Sequence, residues 1–327
     1  MTREESDRIA LRPMRFKNPY RDIRSSAECK TIIEANGNKH HYYTLNYNSR
    51  QYTWHDVREL DIDTIWHVEY PLKNSEDLKS WLNFPEETES RFIPDISHIV
   101  QTENEMGDAG IVAIDIASPL CDLAASFSME DYLVVAMEEP ELFHKALERI
   151  ANRRLKEVEA FSQAAPGRLW RIYGPEYACP PFLPPKLFEE YTVKYDAPIA
   201  DMIRQNEGFP RIHCHGKLKN VLHLIKKTGW TAIDPVEPPP QGDVSLKEAR
   251  EILGSNIVIF GNIEVNYLEN LDRDEFSHCV RTALKEGPVN GKNFVLMPTS
   301  APYGRNISPR VVQNYRIMID ECYKAEH

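Results

Sequence analysis

The chain has 327 residues, of which 42% are apolar and 27% charged, and its formal net charge is −11. This is the composition of an ordinary globular protein, and the length suits one α/β barrel with extensions. The excess of acidic residues argues against a nucleic-acid partner or an anionic membrane, because binding to phosphates depends on basic patches.

The first residues are polar and lack the apolar segment of a signal peptide, and no stretch is apolar for long enough to span a membrane. The six cysteines are scattered and show no paired spacing. Because a chain of this size needs no disulfides to fold, the sequence indicates a protein of the reducing cytoplasm.

The N-terminal part of the sequence has few regular patterns. Residues 1–38 are polar and give no assignment, whereas residues 40–54 are aromatic and β-branched around Asn-Ser-Arg, which predicts a β-hairpin. A helix is expected within residues 70–85, where Asn-Ser-Glu-Asp supplies a cap and an acidic first turn. We place an N-terminal extension with its hairpin at residues 1–64 and the main domain at residues 65–327.

From about residue 109, short apolar runs alternate with amphipathic helical windows. The runs lie at residues 110–116, 168–174, 209–216, 230–236, 255–264 and 292–298. The candidate helices lie at residues 138–159, 186–205, 217–228, 245–253, 273–285 and 308–325. This alternation predicts parallel strands with crossover helices, and the number of units fits a TIM-type (β/α)8 barrel. An open doubly wound sheet is the alternative, but no strand precedes the glycine-rich turn of a dinucleotide fold.

Acids and histidines follow four consecutive predicted strands, at the end of each strand where the chemistry of a barrel is found. These residues are Glu176, His213, His215, Asp234, Glu237, Asp243 and Glu264. Carboxylates and imidazoles on one rim either repel each other or share a cation, so the pattern predicts a site in the barrel mouth.

His213 and His215 are the strongest candidates for metal binding. Residues two apart on an extended strand point to the same side, so both imidazoles can chelate one divalent ion, whereas Cys214 points the other way. The alternative is one core histidine and one loop histidine.

Three acids have both a functional and a structural interpretation. Glu237 precedes three prolines that stiffen its loop, which suits metal ligation or acid–base work, or else a salt bridge in a rigid turn. Asp243 is a candidate substrate-binding residue or the N-cap of the helix that begins at Ser245. Glu264 is a third metal ligand, a general base or a plain loop acid.

The remaining candidates lie near other strand ends. Glu176 and Tyr177 follow a Gly-Pro bend, and Tyr177 either donates to a substrate oxygen or packs over the barrel mouth. We count both as catalytic candidates together with Glu237. Asn262 and Arg305 are candidate substrate-binding residues.

Several of these segments together resemble the uroporphyrinogen decarboxylase superfamily. R-I-H-C-H-G-K-L-K-N-V-L, T-G-W-T-A-I-D-P-V-E and L-K-E-A-R-E-I-L-G-S-N-I-V-I-F-G-N-I look like its C-terminal half, and Y-P-L-K-N-S-E-D-L, M-E-E-P-E-L-F and L-P-P-K-L-F-E-E-Y resemble its linking helices. The resemblance covers roughly residues 65–322 and implies a TIM barrel with the site in its mouth.

Within that superfamily, the chain is more similar to the corrinoid- and metal-dependent methyltransferases than to the decarboxylases. The R-Q-A-G-R segment of the decarboxylases is missing, and an acidic rim would repel an octacarboxylate substrate. The H-x-C zinc motif of the methyltransferases maps to His213 and His215, and the position of their last-strand cysteine falls near Thr299 or Ser300. The resemblance therefore implies a variant zinc site of two histidines and a carboxylate, with Glu237 or Glu264 completing it.

The activity implied is methyl transfer between a small methylated substrate, such as a methoxy compound, and a corrinoid. A partner protein would supply the corrinoid, since the chain has no D-x-H-x-x-G segment of its own. Glu176 would move a proton and Tyr177 would orient the substrate. The rival interpretations are a decarboxylase or lyase, whose carboxylate substrate Arg171 and Arg305 would hold, and a non-catalytic barrel that binds a corrinoid or tetrapyrrole. A homodimer is left open.

Overall fold

The structure is a computed structural model that describes residues 9–17, 27–60, 62, 65–85, 92–302 and 306–325. Its strands, in chain order, are β1 (Ile9–Pro13), β2 (Glu28–Ile33), β3 (Lys39–Tyr47), β4 (Arg50–Arg58), β5 (Ile65–Glu69), β6 (Ile111–Ala117), β7 (Leu169–Tyr173), β8 (Phe209–His213), β9 (Ala232–Asp234), β10 (Val258–Ile263) and β11 (Phe294–Pro298). They form two sheets.

The large sheet consists of seven parallel strands in the order β1-β6-β7-β8-β9-β10-β11. All six apolar runs predicted as strands belong to it, in their chain order. The closed (β/α)8 barrel is confirmed only in part, because β1 and β11 do not pair and no eighth strand joins this sheet in the described portion of the chain.

The small sheet consists of four antiparallel strands in the order β2-β3-β4-β5. Its centre is the predicted hairpin, in which β3 and β4 pair across a tight turn at Asn48 and Ser49, both with positive φ. The division expected between residues 64 and 65 does not follow the sheets, because β1 belongs to the large sheet and β5 to the small one.

Twelve α-helices of the described residues surround the sheets. They are α1 (Ser75–Leu82), α2 (Ser97–Met106), α3 (Pro119–Ala124), α4 (Met129–Glu138), α5 (Pro140–Ala164), α6 (Pro185–Phe188), α7 (Lys194–Gln205), α8 (Leu222–Lys227), α9 (Leu246–Leu253), α10 (Val265–Asn270), α11 (Arg273–Glu286) and α12 (Pro309–Ala325). None of the helices described is long and apolar enough to cross a membrane.

Local sequence signals explain several helix ends. Asn74 caps α1 by accepting from the backbone N–H of Asp77, as the first-turn pattern predicts. Helix α9 begins with a capping box of Ser245 and Glu248, so Ser245 is the N-cap. The alternative role of Asp243 as the cap of this helix is therefore wrong.

Alternation along the strands of the large sheet separates a helix-packing face from an inner face. On β7, Trp170 and Ile172 are fully buried, and the Trp170 ring lies 6.0 Å from that of Phe161 on α5. Arg171 and Tyr173 point to the opposite side. The inner face thus carries polar and aromatic side chains, and the candidate site is built on it.

Candidate active site on the inner face of the parallel sheet

The pairing of the strands places the inner-face side chains at two heights along the sheet, which we call the lower and the upper level. Asp115, Arg171 and Arg211 occupy matched positions on β6, β7 and β8. Two residues further along β8, His213 is matched with Asp234 at the end of β9. A residue rises about 3.3 Å along a parallel strand, so the second level lies roughly 6–7 Å nearer the carboxyl ends of the strands.

Asp234 connects the two levels. Its Oδ2 accepts a 2.8 Å hydrogen bond from Nδ1 of His213, and its Oδ1 lies 3.1 Å from Nε of Arg211. Burial alone would raise the pKa of Asp234, but the His213 hydrogen bond and the charges of Arg211 and Arg171 hold it below its ordinary value. The carboxylate is therefore ionised, and Nδ1 of His213 is the protonated ring nitrogen.

His215 is oriented in the same way by Glu237. Nδ1 of His215 donates to Oε1 of Glu237 over 2.9 Å, and the backbone N–H of Gly216 donates to Oε2 over 2.9 Å. Burial opposes the charged form of His215, but the hydrogen bond and charge of Glu237, with a contribution from Glu176, raise the pKa of the imidazole. Burial likewise opposes ionisation of Glu237, but its bonds to His215 and Gly216 lower its pKa.

The two imidazoles lie side by side, as their spacing in the sequence predicts. The ring centroids are 4.8 Å apart and the planes are nearly perpendicular, at 86°. Because both Nδ1 atoms bond carboxylates, each ring has its Nε2 left for another partner. Cys214 is fully buried on the other side of the strand, and burial raises the pKa of its thiol far above the ordinary value.

The predicted ligand set of His213, His215, Glu237 and Glu264 is not assembled as one. Both oxygens of Glu237 are used by His215 and Gly216. Glu264 is 3% exposed, caps α10, and accepts from Nδ2 of Asn266 and Oγ1 of Thr299, each over 3.2 Å. Among the described residues, no group of three histidines, cysteines or acids is placed to hold a metal ion.

Glu176 and Tyr177 lie on a short 3₁₀ turn, Pro175–Ala178, that follows β7. The turn requires Gly174, whose φ is 99° and where an added Cβ would lie 2.1 Å from Cβ of Cys121. Oε2 of Glu176 is buried, and none of the described residues forms a hydrogen bond with it. Burial raises the pKa of Tyr177 to about 12, so its hydroxyl is a neutral donor at physiological pH.

The predicted substrate-binding residues are dispersed. Oδ1 of Asp243 accepts from the backbone N–H of Lys219 over 2.9 Å, which ties its loop to the segment after β8. Asn262 is half-buried on β10. Arg305 lies outside the described residues.

Sequence reasoning missed the roles of Arg211 and Asp115. Arg171 and Asp115 form a bidentate pair, with Nε–Oδ1 and Nη2–Oδ2 distances of 2.7 and 2.9 Å, and Arg211 is 2% exposed beside them. The signal was present, since each of these residues interrupts an otherwise apolar run at a matched strand position. Arg171, predicted as a substrate carboxylate holder, already binds a carboxylate of the chain itself.

Comparison with known proteins decides the family. The family model of uroporphyrinogen decarboxylase (URO-D) matches residues 63–311. The chain belongs to the uroporphyrinogen decarboxylase family. This family assignment confirms the resemblance seen in the sequence motifs, and the histidine strand β8 lies inside the matched region.

A solved structure agrees with this chain at the level of fold. A methyltransferase from Methanosarcina mazei superimposes with a TM-score of 0.60 at 14% identity, over 81% of this chain and 74% of that one. A D-psicose 3-epimerase matches with a TM-score of only 0.37 at 9% identity, over 71% of this chain and 93% of that one, and supports no argument. No curated protein sequence matches this URO-D family member.

Proposed function

We propose that this URO-D family protein is a cytoplasmic, metal-dependent methyltransferase that moves a methyl group between a small methylated substrate and a corrinoid carried by a partner protein. The observation that carries the proposal is the pair of imidazoles, His213 and His215, each fixed by a carboxylate with its Nε2 free. The fold shared with a methyltransferase from Methanosarcina mazei is compatible with it.

The donor set fits a divalent metal such as zinc through the two histidines. Metal-binding histidines commonly donate their second ring N–H to a carboxylate, which fixes the tautomer and the ring orientation. Asp234 and Glu237 do this for His213 and His215. His213 and His215 would hold the ion through Nε2, and substrate or water would complete its coordination. The bound ion would act as a Lewis acid on the heteroatom that bears the methyl group.

The other side chains of the site would handle protons and position the substrate. Glu176 is the carboxyl group available for this role, because its buried Oε2 has no hydrogen-bond partner among the described residues. In its protonated form it would give a proton to the heteroatom as the methyl group leaves, and the resulting carboxylate would take one up in the reverse direction. Tyr177 would donate its hydroxyl hydrogen to a substrate oxygen. Glu237, predicted as a ligand and catalytic acid, would instead keep His215 in place.

The direct test of the proposal is methyl transfer to cob(I)alamin. The metal-loaded protein is mixed with cob(I)alamin and methanol, methylamines or simple methyl ethers, and methylcobalamin is followed by its absorbance. We expect methylcobalamin to form with the wild type and with His223→Ala, an exposed histidine on α8, and to be lost in His215→Ala. Equal rates with and without metal, or in His215→Ala, would overturn the proposal, as would no transfer from any of these donor classes.

A second candidate is decarboxylation or a related lyase reaction on a carboxylate substrate. It is favoured by one observation, the pair of arginines at the lower level of the inner face, Arg171 and Arg211. Release of carbon dioxide from a carboxylate substrate by the metal-free protein would favour this candidate over methyl transfer.

A further inference from the structure

Arg211 is a buried cation whose donors are not all satisfied. The residue is 2% exposed, and its buried Nη1 has no hydrogen-bond partner in the part of the chain that the structure describes. Its Nε is close to Asp234 but lacks the geometry of a hydrogen bond. A guanidinium offers five N–H donors, and a buried charged donor without an acceptor is costly. The side chain therefore has room for an acceptor that none of the described residues provides.

The nearest carboxylate is divided between two partners. Asp234 gives Oδ2 to His213 and presents only Oδ1 to Arg211. On another side the guanidinium of Arg211 lies 4.7 Å from the ring centroid of Phe260, a cation–π contact that provides no lone pair. The charge of Arg211 is thus only partly balanced by its surroundings.

A second guanidinium lies at the same level of the sheet. Arg171 is matched with Arg211 in the register of β7 and β8. It binds Asp115 through Nε and Nη2, so this carboxylate leaves its Nη1 unused. The side chains of Arg171 and Asp115 are 21% and 19% exposed, so solvent reaches this pair beside the buried Arg211.

We propose that Arg211 and Arg171 form a binding subsite for the carboxylate of the substrate, below the histidine pair. A carboxylate would accept one hydrogen bond from Nη1 of each arginine, and both bonds would be charge-assisted. The methyl-bearing end of the substrate would then lie toward His213 and His215, one level higher. The claim that the substrate is a methylated carboxylate rests on the proposed methyl transfer, whereas the claim that the two arginines bind a carboxylate does not.

The test compares a methylated carboxylate with its neutral analogue. Binding of 3-methoxypropionate and of 3-methoxypropan-1-ol is measured by ligand-observed NMR titration of the wild type, Arg211→Gln and Arg168→Gln. Arg168 is the matched control, because it pairs bidentately with Glu103 just before β7, at the opposite end of the strand. We expect the acid to bind the wild type and Arg168→Gln alike, and to bind Arg211→Gln about tenfold or more weakly, as for loss of a charged hydrogen bond.

Two further variants guard against misfolding of Arg211→Gln. Arg211→Lys keeps the charge but lacks the Nη1 donor, and the double variant Asp115→Asn with Arg171→Gln removes the neighbouring pair without leaving a lone charge. Both are expected to weaken binding of the acid while thermal unfolding shows a folded protein. Unchanged binding in either folded variant would overturn the subsite.

The outcomes separate the subsite from the reaction. No binding of the acid to the wild type, or equal binding of acid and alcohol, would overturn the subsite whatever the methyl-transfer activity. Stronger competition by inorganic phosphate than by 3-methoxypropionate would overturn the assignment to a carboxylate. Binding that depends on Arg211 supports the subsite even if no methyl group is transferred, a result that would count against the proposed reaction alone.

Discussion

Replacing Asp234 by asparagine tests the central electrostatic link of the site. The side chain is 2% exposed and lies between His213 and Arg211, so the variant leaves Arg211 buried without its nearest carboxylate. Removing one partner of a buried ion pair typically destabilises a protein by about 3–5 kcal/mol, whereas an exposed pair contributes about 0.2–1 kcal/mol. We expect a loss near the lower end of the buried range, because asparagine can still accept from one partner.

A matched control is available in the small sheet. Asp56 accepts from Nδ1 of His67 over 2.7 Å, nearly the same distance as in the Asp234–His213 pair, but His67 is about half exposed. The free energy of unfolding is measured in urea at neutral pH for the wild type, Asp234→Asn and Asp56→Asn. Similar losses in the free energy of unfolding in the two variants would refute the argument that burial makes the Asp234 pair more stabilising than the Asp56 pair.

The pH dependence gives an independent check on Asp234. Its pKa in the folded protein lies below the value in the unfolded chain, about 3.9 for an aspartate. The ionised group therefore stabilises the folded protein above that pH, and this contribution is lost as the pH falls through the lower folded-state pKa. We expect the difference between wild type and Asp234→Asn to shrink below about pH 4.

Three further changes have outcomes that can be worked out from the structure. Burial raises the pKa of Asp196 to about 7. The protein should therefore lose stability as the pH rises from about 4 through 7, where folding keeps this carboxyl group protonated. Asp196→Asn should remove this pH dependence, which is measured by unfolding at a series of pH values. Gly174→Ala should destabilise the fold by several kcal/mol, since the added Cβ would overlap Cys121. Gly167→Ala is also at positive φ but has open space around the added Cβ, so it should cost only about 1 kcal/mol. Unfolding in urea compares the two variants. Ser245→Ala removes the cap of α9 and should cost about 1 kcal/mol by the same assay.

The large sheet could be predicted from sequence because its strands are buried on the helix side and carry apolar residues in short runs. Strand β1 was missed because its five residues include Arg12 and Pro13, which lower the apolar signal. Closure of a barrel is a long-range property that no local pattern encodes. The hairpin of β3 and β4 was predictable because its turn and its alternation are local.

The sequence predicted where the site residues lie, but not which residue each of them bonds. The spacing of His213 and His215 fixes their common side, and that prediction holds in the ring geometry. Which acid would meet which histidine depends on the register of β8 and β9 and on the loop after β9, so Glu237 could not be identified as the orienting group of His215. Arg211 stands out as a charged residue within an apolar run, but its partners depend on the pairing of β7, β8 and β9, which no local pattern encodes.

Metal analysis of the purified protein tests most directly the claim that His213 and His215 hold a divalent ion. Wild type, His215→Ala and the exposed control His223→Ala are each loaded with zinc, dialysed and analysed for bound metal. The account predicts about one equivalent in the wild type and in His223→Ala, and a loss of the metal in His215→Ala. No bound metal in the wild type, or the same content in all three proteins, would contradict it.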